Sequence, residues 1–179
     1  MRTPPRVRRP RLSWLRSGTR EVYTTAQRGL AMGGINIGRV VVGGIVAGIL
    51  CFLGDGIVHG VLLKDWWAQV MAGLGRRVAD PGGTHPLYFL SYDLAKALVA
   101  VWLYAAIRPR FGAGPRTAVI AAVATWVLVI PIPLLGLIPM EWFGRRFALL
   151  WSLYGLIPMV IAVLVGAWIY REGAPRPAG

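Results

Sequence analysis

Four ionisable side chains stand inside otherwise apolar stretches of the sequence. Asp55 and His59 are four residues apart, and Asp93 and Lys96 are three apart, so each pair falls on one face of a helix. Tyr92 adds a hydroxyl beside Asp93. Two carboxylates against one ammonium leave a surplus negative charge, which His59, a captured proton or a bound cation would neutralise. These residue types therefore indicate a structural ion cluster or a site for a proton or small cation.

Catalysis is not expected from this set of residues. One histidine and one carboxylate on the same helix lack a nucleophile. Ser91, the nearest hydroxyl, does not have a spacing that predicts a Ser-His-Asp arrangement. The single cysteine, Cys51, excludes an internal disulfide and a multi-cysteine metal site, and its surroundings favour apolar packing. We therefore predict no enzymatic activity, no cofactor and no metal.

The polar residues lie in the first two of four long apolar stretches. Hydrophobic residues make up 56% of the chain and its mean hydropathy is +0.57, above the level of soluble domains. A helix of about 20 apolar residues crosses a bilayer. The sequence predicts an all-α fold, a bundle of four transmembrane helices in a bacterial inner membrane. The predicted spans are residues 40–63, 86–107, 117–140 and 147–170.

A short amphipathic segment separates the first span from the second. Its apolar residues can share one helical face: Trp66, Trp67, Val70, Met71 and Leu74. This pattern predicts a short helix that lies in the membrane interface and ends at the turn-forming residues 80–83.

The polar groups are predicted to lie at similar depths. At a rise of about 1.5 Å per residue, Asp55 lies about 12 Å from the outer end of its span, and Asp93 about 10 Å. Pro131 and Pro133, which must distort the later part of the third span, fall at about 13 and 10 Å. Charge and irregular backbone are tolerated in a bilayer only where protein or water satisfies them. We predict a polar pocket in the outer half of the bundle, lined by Asp55, His59, Tyr92, Asp93 and Lys96, with Trp151 and Tyr154 nearby.

The predicted pocket supports two functional hypotheses. In the first, the chain is a structural or accessory membrane protein in which an ion pair between Asp55 and Lys96 joins the first two helices. In the second, it is a proton- or cation-coupled transporter in which Asp55 and Asp93 bind the ion and Lys96 tunes them. We favour the first, because ion pairs and proline kinks are ordinary features of membrane helices.

The first span carries two G-x-x-x-G pairs, Gly44 with Gly48 and Gly56 with Gly60. Such pairs let another helix approach the backbone closely. They predict helix packing through this face and allow a homo-oligomer through the first span.

Basic residues predict the orientation of the chain. The formal net charge is +13, and eight arginines precede residue 32. With both termini inside, the inner segments hold thirteen basic residues and the outer loops five, so both termini are predicted to be cytoplasmic. Arg108, Arg110 and Arg116, in a predicted loop at 108–116, are expected to contact lipid headgroups. The predicted partner of the basic residues is therefore the lipid bilayer, not nucleic acid.

The two ends of the chain are expected to lie outside the membrane domain, residues 32–170. Residues 1–31 are rich in arginine and contain Pro4, Pro5 and Pro10, which predicts a disordered basic tail. Because Met32 leads directly into the first span, a start at Met32 is an equally weighted alternative. Residues 171–179 are polar and are also expected to be disordered.

Several segments resemble a group of bacterial four-helix membrane proteins that have no established activity. The resemblance lies in RVVVGGIVAG at 39–48, GDG at 54–56, VWLYAAIRPRFGAGPRTA at 101–118 and VGAWIYRE at 165–172, which together cover less than half of the chain. It implies an integral membrane protein, and a start at Met32 because that pattern has no arginine-rich leader. A likeness to small multidrug exporters is weaker, since those chains are shorter and Lys96 departs from their pattern.

Overall fold

The computed structural model describes residues 35–75 and 85–170, and all regular structure within these two segments is helical. The predicted tails, 1–31 and 171–179, and the predicted turn at 80–83 lie outside the described residues.

Four stretches of helix dominate the described chain. In chain order the helices are α1 (Ile37–Ile57), extended by a π-helical turn (Val58–Leu62), α2 (Lys64–Gly73), α3 (His85–Phe111), α4 (Pro115–Val129), α5 (Pro131–Leu137), extended by a 3-10 turn (Ile138–Met140), and α6 (Arg145–Ile169). Four of these stretches are 25 to 27 residues long and apolar enough to cross a membrane: Ile37–Leu62, His85–Phe111, Pro115–Met140 and Arg145–Ile169. The predicted all-helical class and the four candidate spans are therefore confirmed, with bounds within a few residues of those predicted.

Most of the apolar surface of these helices faces outward. In the most apolar 18-residue segment of each span, only 33 to 39% is buried inside the chain. Large side chains such as Leu53, Val99 and Ile157 are more than half exposed. Since soluble proteins rarely expose continuous apolar faces of this kind, these surfaces require lipid or another protein as a covering.

Helix α1 approaches α3 closely through two glycines. A Cβ atom added to Gly48 would lie 2.7 Å from Leu94 Cα, and one added to Gly44 would lie 3.0 Å from Leu98 Cα. The Gly48 distance is too short for a Cβ atom, and the Gly44 distance would force its neighbour to shift, so glycine allows the two backbones to approach closely here. The first predicted glycine pair therefore lies at a helix contact.

The second glycine pair is in a different environment. A Cβ atom added to Gly56 or Gly60 would have no neighbour within 4 Å among the described residues. Helix α1 instead approaches α6 at Gly43, where an added Cβ would lie 2.7 Å from the carbonyl oxygen of Gly166, and at Gly54, which lies against Pro158. The homo-oligomer expected through the first span stays a prediction.

The third span is interrupted where its prolines occur. Helix α4 ends at Val129, Ile130 has φ −121° and ψ −71°, and α5 begins at Pro131. A proline nitrogen carries no hydrogen, so the carbonyl four residues before it has no donor within the helix. The predicted distortion of this span is confirmed, and it leaves Val129 O, four residues before Pro133, in need of a donor.

The basic loop between the second and third spans is shorter than predicted. Helix α3 continues through Arg108, Pro109 and Arg110 to Phe111, and only residues 112–114 form the turn. Gly112 and Gly114 have positive φ values of 85° and 139°, and the hydroxyl of Thr117 donates to Gly112 O at 2.7 Å. The helix therefore ends where Gly112 adopts a left-handed backbone conformation, and not before Pro109.

Candidate functional site

Asp55, Asp93 and Lys96 form an ion cluster between α1 and α3. Lys96 Nζ lies 2.5 Å from Asp55 Oδ2 and 2.7 Å from Asp93 Oδ1. The side chains of Lys96 and Asp93 are each 3% exposed, and that of Asp55 is 14% exposed. One buried ammonium thus contacts carboxylates from two different helices, and these three residues are among the five predicted to line a polar pocket.

The glycine contact positions this ion cluster. Gly44, Gly48, Cys51 and Asp55 follow one another at spacings of four, three and four residues, so they lie on one face of α1. Because the two glycines bring this face against α3, the side chain of Asp55 at its end comes within reach of Lys96. Asp93 is on the same face of α3 as Lys96, one turn earlier.

Cys51 belongs to the same site, although its sequence context predicted only a packing role. It is fully buried, and its sulfur and one oxygen from each of Asp55 and Asp93 all lie within 4.8 Å of one another. Its position four residues before Asp55 was the signal that would have placed it here. The Lys96 ammonium already contacts both carboxylates, so a cation bound by these three ligands would have to displace it, and we assign no metal to the site.

The charges of the ion cluster do not balance in their ordinary ionised forms. Two carboxylates face one ammonium. Asp55 Oδ1 is buried and has no hydrogen-bond partner among the described residues. Asp93 Oδ1 contacts Lys96 Nζ at 2.7 Å, but this contact is not aligned as a hydrogen bond. The arrangement can therefore hold two helices together, and it has unused acceptor capacity for a proton or small cation.

His59 makes its hydrogen bond outside the ion cluster. It lies in the π-helical turn, where Leu63 N donates to Val58 O, and its Nδ1 accepts a hydrogen bond from Trp67 Nε1 of α2 at 3.0 Å. The ring of Trp151 packs edge-on against the imidazole, with centroids 5.5 Å apart. His59 thus contributes to the contact between α2 and α6.

Tyr92 links the ion cluster to the interruption of the third span. Its ring centroid lies 5.1 Å from Lys96 Nζ, within the range of a cation–π contact. Its hydroxyl donates to Val129 O at 3.3 Å. That carbonyl lacks a helical donor because of Pro133, so Tyr92 supplies the hydrogen that the proline cannot.

Replacing Tyr92 with phenylalanine is expected to lower the free energy of unfolding by about 1 kcal/mol, because Val129 O loses its donor while the ring over Lys96 is kept. The measurement is reversible denaturant unfolding of the purified protein in detergent. Tyr88→Phe, one turn earlier on α3 and 72% exposed, is the matched control and should leave the stability unchanged. Equal values for the two variants would contradict the assigned role of the Tyr92 hydroxyl.

An aromatic cluster at one end of the helices was not predicted. Trp67 of α2 packs against Phe147 and Trp151 of α6, with ring centroids 5.0 and 5.2 Å away. Phe143 joins the same group, 6.1 Å from Trp67. These rings dock the short helix on the start of α6. The signal in the sequence was the spacing of Phe147 and Trp151, which places two rings on one face of α6, with Phe143 shortly before the helix.

Of the arginines expected at lipid headgroups, Arg108 and Arg110 lie in the last turn of α3, and Arg116 lies at the start of α4. Arg108 is partly buried, with its guanidinium carbon 5.8 Å from the ring centroid of Tyr170. Arg110 and Arg116 are exposed. Contact of these side chains with lipid stays a prediction.

Comparisons of the chain with models of protein families, with characterised proteins and with solved structures find no match.

Proposed function

We propose that this chain is a multi-pass integral membrane protein with a structural or accessory role, in which the ion cluster of Asp55, Asp93 and Lys96 joins the first span to the second. The observation that carries the proposal is the position of the Lys96 side chain, which is 3% exposed and whose ammonium contacts carboxylates of two different helices. Each group there would be costly to bury alone, so the three together favour one arrangement of α1 against α3.

In this proposal the four apolar helices cross a bacterial inner membrane as a bundle with both termini in the cytoplasm. The basic residues at the two ends of the chain and the outward apolar faces of the helices support that orientation and placement. Helix α2 lies in the membrane interface on the side away from the cytoplasm. Its ten residues span about 15 Å, too short to cross, and Trp67 packs on the chain while Lys64 and Asp65 are exposed.

The proposed role is not enzymatic. The nucleophilic side chain at the ion cluster is the Cys51 thiol, which is fully buried among α1, α3 and α6. A substrate would need access to that sulfur and a base directed at it. The hydrogen bond of His59 is with Trp67, so the histidine does not supply that base.

A proton- or cation-coupled transporter is the second candidate function. The specific observation in its favour is the surplus carboxylate, together with the buried Asp55 Oδ1 that has no hydrogen-bond partner among the described residues. In that case Asp55 and Asp93 would bind the transported ion and Lys96 would compete with it for the same oxygens.

The Asp55→Asn variant distinguishes the two candidates. For a structural role, we expect wild-type protein in liposomes to give no ion flux above empty liposomes, and Asp55→Asn to lower the free energy of unfolding by about 2 kcal/mol through loss of one charged contact. The measurements are flux driven by an imposed pH or cation gradient, and denaturant unfolding. Asp65→Asn on α2, where the carboxylate is exposed, is the matched control. Gradient-driven flux that Asp55→Asn abolishes without loss of stability would replace the structural proposal with the transporter.

A further inference from the structure

A cavity of about 330 Å³ opens between α2 and the segment that leads into α6. Its walls include Trp66 and Gln69 from α2, and Glu141, Trp142 and Phe147 from the other side. The volume is at the lower end of the range typical of small-ligand sites. The cavity is therefore large enough for a small polar group held between indole rings.

One wall of this cavity carries a negative charge on a constrained backbone. Glu141 has φ +54° and ψ 19°, and it is the one described residue other than glycine with a positive φ. An L-residue rarely adopts this conformation, and such positions are often associated with function. Trp142 follows directly and also lines the cavity. A carboxylate beside aromatic faces is a suitable environment for an ammonium group.

A positive charge lies next to Trp66, one of the lining residues of this cavity. The guanidinium carbon of Arg146 is 5.6 Å from the ring centroid of Trp66, whose ring lines the cavity. Helix α6 begins just after Gly144, another lining residue, and no side chain caps its N-terminus. The first amides of a 25-residue helix and the Arg146 guanidinium together favour an anionic group. The cavity is therefore lined by a carboxylate and has a guanidinium beside one of its aromatic lining residues.

We propose that this cavity binds the headgroup of a zwitterionic phospholipid. The phosphodiester lies near Arg146 and the first amides of α6, and the ammonium lies between Glu141 and the indole rings of Trp66 and Trp142. A phosphoglycerol headgroup is anionic and has no ammonium, so it would leave the Glu141 carboxylate without a neutralising charge. The proposal depends on the placement of α2 in the membrane interface on the side away from the cytoplasm. It requires neither the structural nor the transport role of the ion cluster.

Competition between two lipids tests this proposal on the full-length protein. The probes are a phosphoethanolamine lipid and a phosphoglycerol lipid with the same acyl chains, supplied in equal amounts in detergent, and native mass spectrometry counts the lipid retained. Wild type should retain the zwitterionic lipid about tenfold more than the anionic one, the effect of one charge-assisted contact. Arg146→Gln should lower retention of both lipids about tenfold, since both carry the phosphate.

Charge reversal at Glu141 separates lipid recognition from a merely structural role. Glu141→Gln should abolish the preference, and Glu141→Lys should reverse it in favour of the anionic lipid. Arg110→Gln, exposed near the end of α3, is the control and should retain the wild-type preference. Equal retention of the two lipids by wild type, no retention of either, or an unchanged preference in Glu141→Lys would overturn the proposal. Because no readout involves ion flux, failure here is distinct from failure of the proposed function.

Discussion

Replacing Lys96 with methionine is expected to lower the free energy of unfolding by about 3 to 5 kcal/mol, the largest loss that we expect from one substitution in this chain. Among the described residues, the Lys96 ammonium is the one positive charge in an ion pair with Asp55 and Asp93, at 2.5 and 2.7 Å. Without it, two carboxylates remain close together in a site where their side chains are 14% and 3% exposed. Methionine keeps most of the side-chain volume, so the loss reports on charge and not on a cavity. Denaturant unfolding in detergent measures it.

Lys64, the only other lysine of the chain, supplies the control for Lys96→Met. It is exposed at the start of α2, so Lys64→Met should leave the stability unchanged. The triple variant Asp55→Asn, Asp93→Asn, Lys96→Met removes all three charges and should recover most of the lost stability, since an apolar or neutral replacement of a buried ion group is often tolerated. Equal losses for Lys96→Met and the triple variant would show that the carboxylates left without Lys96 are not the cause of the loss.

Replacing Gly48 with alanine is expected to cost about 1 to 3 kcal/mol, although alanine is the better helix former. The new methyl group would lie 2.7 Å from Leu94 Cα and 3.2 Å from Leu94 N. These are backbone atoms of α3, which cannot move aside as the end of a flexible side chain could. The two helices must therefore separate, and Asp55 would be drawn away from Lys96. Denaturant unfolding in detergent, followed by helical circular dichroism, measures the loss.

Gly56 provides a matched control in the same helix. An added Cβ there meets no described atom within 4 Å, so Gly56→Ala should be neutral or stabilise the monomer by up to about 1 kcal/mol through helix propensity. We therefore expect Gly48→Ala to lower the free energy of unfolding and Gly56→Ala to leave it unchanged or raise it. If Gly48→Ala is as stable as Gly56→Ala, α1 and α3 do not approach each other as closely as the structure places them.

The ion cluster illustrates how far sequence reasoning reaches for this site. Helical spacing and depth were sufficient to predict that Asp55, Asp93 and Lys96 could meet, because a helix converts residue number into angle and height. The same reasoning placed His59 with Asp55, four residues away. The π-helical turn at Val58–Leu62 changes the number of residues per turn, so the positions after Ile57 no longer continue the face of α1.

The sequence by itself determined the helical class and the candidate spans, since long apolar runs leave the backbone little choice except to satisfy its hydrogen bonds internally. It also determined where the third span breaks, since Pro131 and Pro133 lack the hydrogen that helix continuation needs. Only the tertiary structure decided which of two identical glycine motifs contacts another helix. That choice depends on atoms of α3 and α6 that are distant in the chain.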